Sequence, residues 1–152
     1  MLLRRANRDD QAPVLALLGG ADLPTEGVAE HFDTFFVAES ASEIVGVAGL
    51  EIHGPDALLR SVAVAPEVRG TGLGSALAER ALTRARESGL GAVYLLTTTA
   101  ESFFPRFGFE RIGWDLVPAS VQESHEFRGA CPSSAVAMRA RLEAAVVKEP
   151  SR

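Results

Sequence analysis

Residues 68–74 read VRGTGLG. Three glycines at alternate positions, led by an arginine, follow directly on RSVAVAPE, a run of small and β-branched residues that predicts a strand. Beyond them, over residues 72–88, Leu73, Leu77 and Ala81 recur at helical spacing with Leu82 and Ala85 beside them. A strand that enters a helix through such a loop is a restrictive arrangement. The first amides of a helix have no partner within it, and its N-terminus carries a partial charge of about +0.5. Glycine lets the backbone turn tightly and approach a ligand without a Cβ in the way. Gly70, Gly72 and Gly74 supply that freedom and Arg69 adds a full positive charge, so the segment suits a phosphate or diphosphate. A plain glycine-rich turn is the competing reading. Two familiar phosphate loops do not fit. A P-loop ends in Gly-Lys-Ser/Thr, whereas Gly74 is followed by Ser75 and Ala76. The dinucleotide fingerprint spaces its glycines as G-x-G-x-x-G and needs an acid about 20 residues on, yet Ala92 to Thr99 carries none.

The chain has 152 residues, which suits one domain with a core of ordinary size. Its formal charge of −5 argues against broad nucleic-acid binding, so an anionic ligand would need a local basic or amide-lined site. Cys131 is the only cysteine, so no internal disulfide can form, which fits a reducing compartment. MLLRRANRDD turns charged at once and lacks the apolar core of a signal peptide, and no stretch approaches the roughly 20 apolar residues of a membrane span. A soluble cytoplasmic protein with no membrane partner is the expectation.

The rest of the chain reads as alternating elements. Leu2 to Arg5 opens as a strand, and Asn7 caps a helix over residues 8–18. TFFVAES and IVGVAGLEIH form a hairpin around ASE, and Gly54-Pro55-Asp56 turns the chain into the central strand ALLRSVAVA, which Pro66 stops. After the glycine loop and its helix, AVYLLTTT is a buried strand and AESFFPRFGF a short helix closed by Gly108. FERIGW is a strand, PASVQESHEF a helix, and SAVAMRARL the last strand. Hairpins followed by a strand–helix–strand unit imply an α+β chain, or α/β with a mixed, mostly antiparallel sheet. A single domain over 1–142 with a frayed tail over 143–152 is expected.

Arg69-Gly70-Thr71-Gly72-Leu73-Gly74 matches the pattern Arg/Gln-x-x-Gly-x-Gly/Ala. With it, SVAVAPEVRGTGLGSALAERAL and AESFFPRFGFE resemble the acyl-CoA loop and the later Gly-Phe segment of the GCN5-related N-acetyltransferase (GNAT) family, and the similarity in element order spans nearly the whole chain. LPTEG, LLRSVAVAPEVRG, YLLTTTAESFF and CPSSAV are similar, more narrowly, to acetyltransferases encoded in bacterial arsenic-resistance operons. The resemblance implies acetyl-CoA as cosubstrate, direct attack by an amine in a ternary complex, and no metal. It places the pantetheine arm along Val62, Ala63 and Val64 and the diphosphate on Arg69, Gly70, Thr71, Gly72, Leu73, Gly74 and Ser75. The family strand splays from the next one to leave a slot for the thioester. Thr97 falls where many relatives carry a cofactor-facing asparagine. A homodimer is left open, since relatives often dimerise. A protein N-acetyltransferase, an O-acetyltransferase and a non-catalytic acetyl-CoA sensor are the alternatives on the same fold.

One departure bears on the chemistry. Many relatives have a tyrosine, four residues before the Gly-Phe pair, that protonates the departing thiolate. Here that position is Phe104, and the only tyrosine, Tyr94, lies on the preceding strand. Ser102 or water could serve, or the thiolate leaves unprotonated, at a cost of about 10²–10⁴ in rate. On the acceptor side, Glu51 and His53 are two apart on a strand and so share a face, and Glu51 is a candidate base. Glu26 lies in the segment where the family gates its acceptor. His31 and His125 are expected at the surface. Arg60 interrupts an apolar strand, and an arginine there is costly to bury alone. An internal carboxylate, Glu51 or Glu39, could meet it, or the anionic group of an amino-acid-like acceptor; the second is favoured from the sequence. Cys131 is one thiol, a poor ligand set for trivalent arsenic.

Overall fold

The computed structural model describes residues 1–142; the expected frayed tail lies outside the described residues. The strands are β1 (Leu2–Arg5), β2 (Phe35–Ser40), β3 (Glu43–His53), β4 (Asp56–Val64), β5 (Ala92–Thr97), β6 (Glu110–Ile112) and β7 (Val136–Arg141). The α-helices among the described residues are α1 (Gln11–Gly20), α2 (Leu73–Glu87) and α3 (Ala119–Gln122). Together they form one mixed sheet in the order β1-β2-β3-β4-β5-β7-β6, an α+β fold as expected. The chain divides into two compact units. The first comprises Met1–Glu51 and Leu59–Leu82, the second Ile52–Leu58 and the residues from Thr83 onward.

The first unit begins with antiparallel pairing of β1 to β2 and β2 to β3. Phe35 lies opposite Gly49 on β3, and a Cβ on Gly49 would collide with the edge of the Phe35 ring. Gly46 is used in the same way, since a Cβ there would come within 2.7 Å of Leu77 of α2. Val14 and Leu18 of α1 close over Val28, Phe32, Phe35, Val37, Val47 and Ala63. Each such large side chain, removed from water, contributes about 1.5–3 kcal/mol. Before α1 the chain makes one 3₁₀ turn, Arg8–Asp10, capped by Asn7, whose side chain accepts from the Asp9 amide while the Asp10 carboxylate accepts from the Asn7 amide. That carboxylate also receives both terminal nitrogens of Arg4, at 2.8 and 3.0 Å. The bidentate arginine bond holds the Asp10 carboxyl below its ordinary value. Arg4 Nε donates to Glu39 at 2.9 Å, so Glu39 is not the partner of Arg60.

In the second unit β4 runs parallel to β5 over Asp56–Leu58 against Ala92–Tyr94, and β5 pairs along its length with β7, which pairs in turn with β6. Its core collects Leu58, Tyr94, Leu96, Val117, Val121 and Ala137, with Trp114, Phe127 and Cys131 packed against them. Trp114 donates its indole N–H to the Ala135 carbonyl at 2.9 Å. The helix expected over 118–127 is shorter than its pattern. α3 ends at Gln122, and a wider turn at Glu126–Ala130 follows, broken by Gly129 at φ +128°. In the second unit burial pushes the Asp56 carboxyl up from its ordinary value, against an opposing bond from the Ala92 amide.

Candidate acetyl-CoA and acceptor site

The glycine loop stands where the sequence places it. Pro66–Val68 form a 3₁₀ turn after β4, and Ala76 N donates to the Gly72 carbonyl at 3.1 Å as the first bond of α2. Gly70 and Gly72 take φ of +81° and +86°, a region that L side chains rarely enter, and a Cβ at either would meet nothing within 4 Å. Arg69, Gly70, Thr71 and Gly72 are exposed, Gly74 and Ser75 half-buried, while Leu73 turns inward. The Thr71 hydroxyl donates to the Val68 carbonyl at 2.6 Å and braces the turn. The result is an open, amide-rich turn at a helix N-terminus with one cation beside it, which fits a diphosphate.

β4 leads into this loop with an irregularity that its sequence does not announce. Ser61 has φ +60°, left-handed backbone in mid-strand. It separates Asp56–Leu58, which pair with β5, from Val62, Ala63 and Val64, where half-buried and buried residues alternate. The Ala65 amide still reaches the Val45 carbonyl of β3 at 2.8 Å. Such conformations cost of order 1–3 kcal/mol and cluster at functional sites.

Arg60, the residue before Ser61, is the hub of a buried network in the first unit. Its NH1 donates to Glu51 Oε2 at 2.7 Å, and neither side chain is exposed to solvent. The same guanidinium donates to the carbonyls of Glu26 at 2.6 Å and Pro24 at 3.0 Å, and through Nε to the Ser61 hydroxyl at 3.0 Å. Of the partners considered for Arg60, the structure therefore supplies Glu51, together with two carbonyls of the LPTEG segment. Glu26 takes part through its carbonyl, and its side chain is exposed. His31, expected at the surface, is half-buried instead, with Nε2 3.6 Å from Glu51 Oε1. His125 is exposed.

Other candidates lie in the second unit. The Thr97 hydroxyl oxygen, at the end of β5, accepts from the Ala100 amide at 2.9 Å and closes the turn after the strand. Ser102 is exposed on that turn. Phe104 is buried and makes edge-on contacts with Phe103 and Phe109, at ring separations of 5.0 and 5.8 Å. Tyr94 is buried in the core around α3.

Sequence reasoning missed the Ser61 kink, the choice of Glu51 over a ligand, and His31. A signal for the pair did exist. Counting outward from a two-residue turn at Gly54-Pro55 places Glu51 and Arg60 diagonally across the hairpin on one face. For His31 there was none, because its approach to β3 depends on the path of the intervening turn.

The fold and the turn between β4 and α2 allow the chain to be set beside known proteins. Residues 31–111, more than half of the chain, match the model of the acetyltransferase (GNAT) domain, and the chain belongs to that family. An uncharacterised N-acetyltransferase of Chlorobaculum tepidum is 32% identical over 97 residues, covering 63% of this chain and 62% of the relative. An amino-acid acetyltransferase of Pseudomonas fluorescens is 37% identical over 105 residues, 68% of this chain but 24% of the relative. The chain thus spans less than two thirds of the length of these relatives. Among solved structures, Rv2747 from Mycobacterium tuberculosis, in complex with CoA, superposes with a TM-score of 0.80 at 27% identity, covering 93% of this chain and 99% of that one. N-acetylglutamate synthase from Neisseria gonorrhoeae, complexed with coenzyme A and N-acetyl-glutamate, shares the fold with a TM-score of 0.79 at 21% identity, over 93% of this chain and 35% of the other. Among the described residues no helix is long and apolar enough to cross a membrane.

Proposed function

We propose that this chain is an N-acetyltransferase that moves the acetyl group of acetyl-CoA to the amine of a small, anionic, amino-acid-like acceptor, by direct attack within a ternary complex. The observation that carries the reading is the turn of Gly70 and Gly72, left-handed and open to solvent at the start of α2. Arg69, Gly70, Thr71, Gly72, Leu73, Gly74 and Ser75 would hold the diphosphate through main-chain N–H groups and the Arg69 charge. Val62, Ala63 and Val64 would pair through their backbone with the pantetheine arm, and Thr97 is the hydroxyl that the family resemblance assigns to the cofactor. Acetyl-CoA supplies the activated acyl group; the chain's part is to hold it and to manage the proton of the attacking amine.

The acceptor class draws support from the Pseudomonas fluorescens relative, an amino-acid acetyltransferase. The likeness to arsenic-operon acetyltransferases extends the same class to an amino-acid-like toxin. Glu26 would face the acceptor from its segment, and Arg60 would act there by fixing the Pro24 and Glu26 carbonyls. Glu51 would serve the proton-transfer network, and Ser102 would be the hydroxyl nearest in sequence to the missing phenol. Action in the cytoplasm and as a homodimer belong to the reading, the first resting on the single cysteine.

A second reading, a non-catalytic acetyl-CoA sensor, is favoured by one observation: Phe104 fills the tyrosine position with a buried ring that has no proton to give. Thiol release from acetyl-CoA across a panel of free amino acids, peptides and alcohols separates the readings. Turnover with free amino acids supports the first, turnover with peptides or alcohols alone replaces the acceptor, and tight binding without turnover supports the sensor. On the enzyme reading, Phe104→Tyr raises kcat by up to about 10²-fold, because a general acid contributes about 10²–10⁴.

A further inference from the structure

An amino acid reaches an enzyme at neutral pH as an ammonium ion, and attack on a thioester needs the nitrogen lone pair. The glycine loop, VRGTGLG, carries no carboxylate or imidazole to take that proton. Glu51, the carboxylate that the sequence offers for the task, has no solvent exposure, and its Oε2 is bonded to Arg60 at 2.7 Å. Its other oxygen lies 3.6 Å from His31 Nε2, and the His31 side chain keeps 25% of its surface in contact with solvent. The network therefore runs from a buried guanidinium through a buried carboxylate to a half-exposed imidazole.

We propose that His31 is the proton acceptor of the acetyl transfer, with Glu51 as the positioning residue behind it; this rests on the amine-acetylation reading above. Imidazole is the side chain suited to exchange protons near neutrality. A carboxylate beside an imidazole can orient the ring toward the reacting group, as in hydrolase triads. The backbone at His31 is fitted to hold the ring there. It leaves helical geometry within the 3₁₀ stretch Ala29–Thr34, at φ −117° and ψ +16°. The Thr34 hydroxyl donates to the His31 carbonyl at 3.0 Å and also reaches the carbonyl of Leu50, the residue before Glu51. Arg60 meanwhile joins Glu51 to the Pro24 and Glu26 carbonyls, so one hub sets both the carboxylate and the LPTEG segment.

The step balances without a further reactant. The ammonium proton passes to the His31 imidazole, and the nitrogen lone pair forms the C–N bond to the thioester carbon. The second amine proton leaves to water as the tetrahedral intermediate collapses. The C–S bond breaks, CoA departs as thiolate and takes a proton from water, and the imidazolium returns its proton to solvent.

The test uses the full chain with acetyl-CoA and L-glutamate, or the fastest free amino acid of the panel. His31→Gln and His31→Ala are expected to lower kcat by about 10²–10⁴-fold. Acceptor KM, CoA affinity and melting temperature should stay close to those of the parent. Added imidazole should restore part of the rate of His31→Ala, which a purely structural histidine would not show. Glu51→Gln strips Arg60 of its counter-ion, so it is assayed where circular dichroism shows it folded. There it should lower kcat in the parent but have little further effect on kcat in His31→Ala, because both act on one proton. A His31→Ala rate within about threefold of the parent, or kcat losses for His31 and Glu51 that add in full, overturns the proposal and leaves the acetylation reading standing. A parent protein that binds acetyl-CoA but acetylates no amine removes that reading, and the role of His31 with it.

Discussion

Arg60 and Glu51 are each fully buried and each holds the other, so removing one strips a buried charge of its counter-ion. Such losses cost about 3–5 kcal/mol, whereas replacing both partners by apolar groups of similar volume is often neutral or stabilising. Arg60→Met should therefore unfold at markedly lower urea than the parent, and Arg60→Met/Glu51→Leu should recover part of the loss, short of all of it because the Pro24 and Glu26 carbonyls stay without their donor. Equal midpoints for the single and double variants would contradict this account. Asp10 makes a prediction of opposite visibility, through pH. Its carboxyl is held below the ordinary 3.8 by Arg4, so the stability it gives is fully present above that value and is lost as pH falls through the lowered one. Asp56 has the reverse sign: burial raises it, so it favours folding at low pH, and this contribution fades as pH climbs past its ordinary value and through the raised one. Asp10→Asn should lower stability by about 2 kcal/mol near neutrality and flatten the acid side of the stability curve, measured by urea unfolding between about pH 5 and pH 2.

Among the elements, β3 shows how closely backbone and side chains are fitted. The Phe35 ring occupies the volume that a Cβ on Gly49 would take. Gly49→Ala must displace that ring from the core of the first unit, and it should destabilise by about 1–3 kcal/mol, readable as a drop in melting temperature. α2 was legible from sequence almost to the residue, as Leu73–Glu87 against an expected 72–88, because its apolar stripe, the glycines before it and Gly89 after it are all local signals. α3 was not. Val121 is its only buried residue, and the following turn is set by packing of Phe127 on Trp114 and by Gly129, none of which leaves a helical period to read. The site divides in the same way. The glycine turn is a contiguous motif, so its place between β4 and α2 was legible, as was the position of Val62, Ala63 and Val64 at the end of β4. The acceptor side depends on contacts across 9 positions from Glu51 to Arg60 and 34 positions from Glu26 to Arg60, and on a left-handed Ser61 within a run that otherwise reads as a plain strand. Distances of that kind are decided by strand register and turn path, which one sequence does not display.

For the molecule as a whole, the proposed activity rests on the turn into α2 gripping the diphosphate of CoA with main-chain N–H groups. Gly72 gives a direct handle, since its φ of +86° costs an alanine about 1–2 kcal/mol, so the substitution should disturb the turn that would hold the diphosphate. Isothermal titration of the purified chain with CoA, for the parent and for Gly72→Ala, measures this with no acceptor needed. Saturable binding of one equivalent by the parent is expected, with affinity at least about tenfold weaker in a folded Gly72→Ala, about 1.4 kcal/mol. No heat of binding from the parent, or an unchanged affinity in the variant, would contradict it.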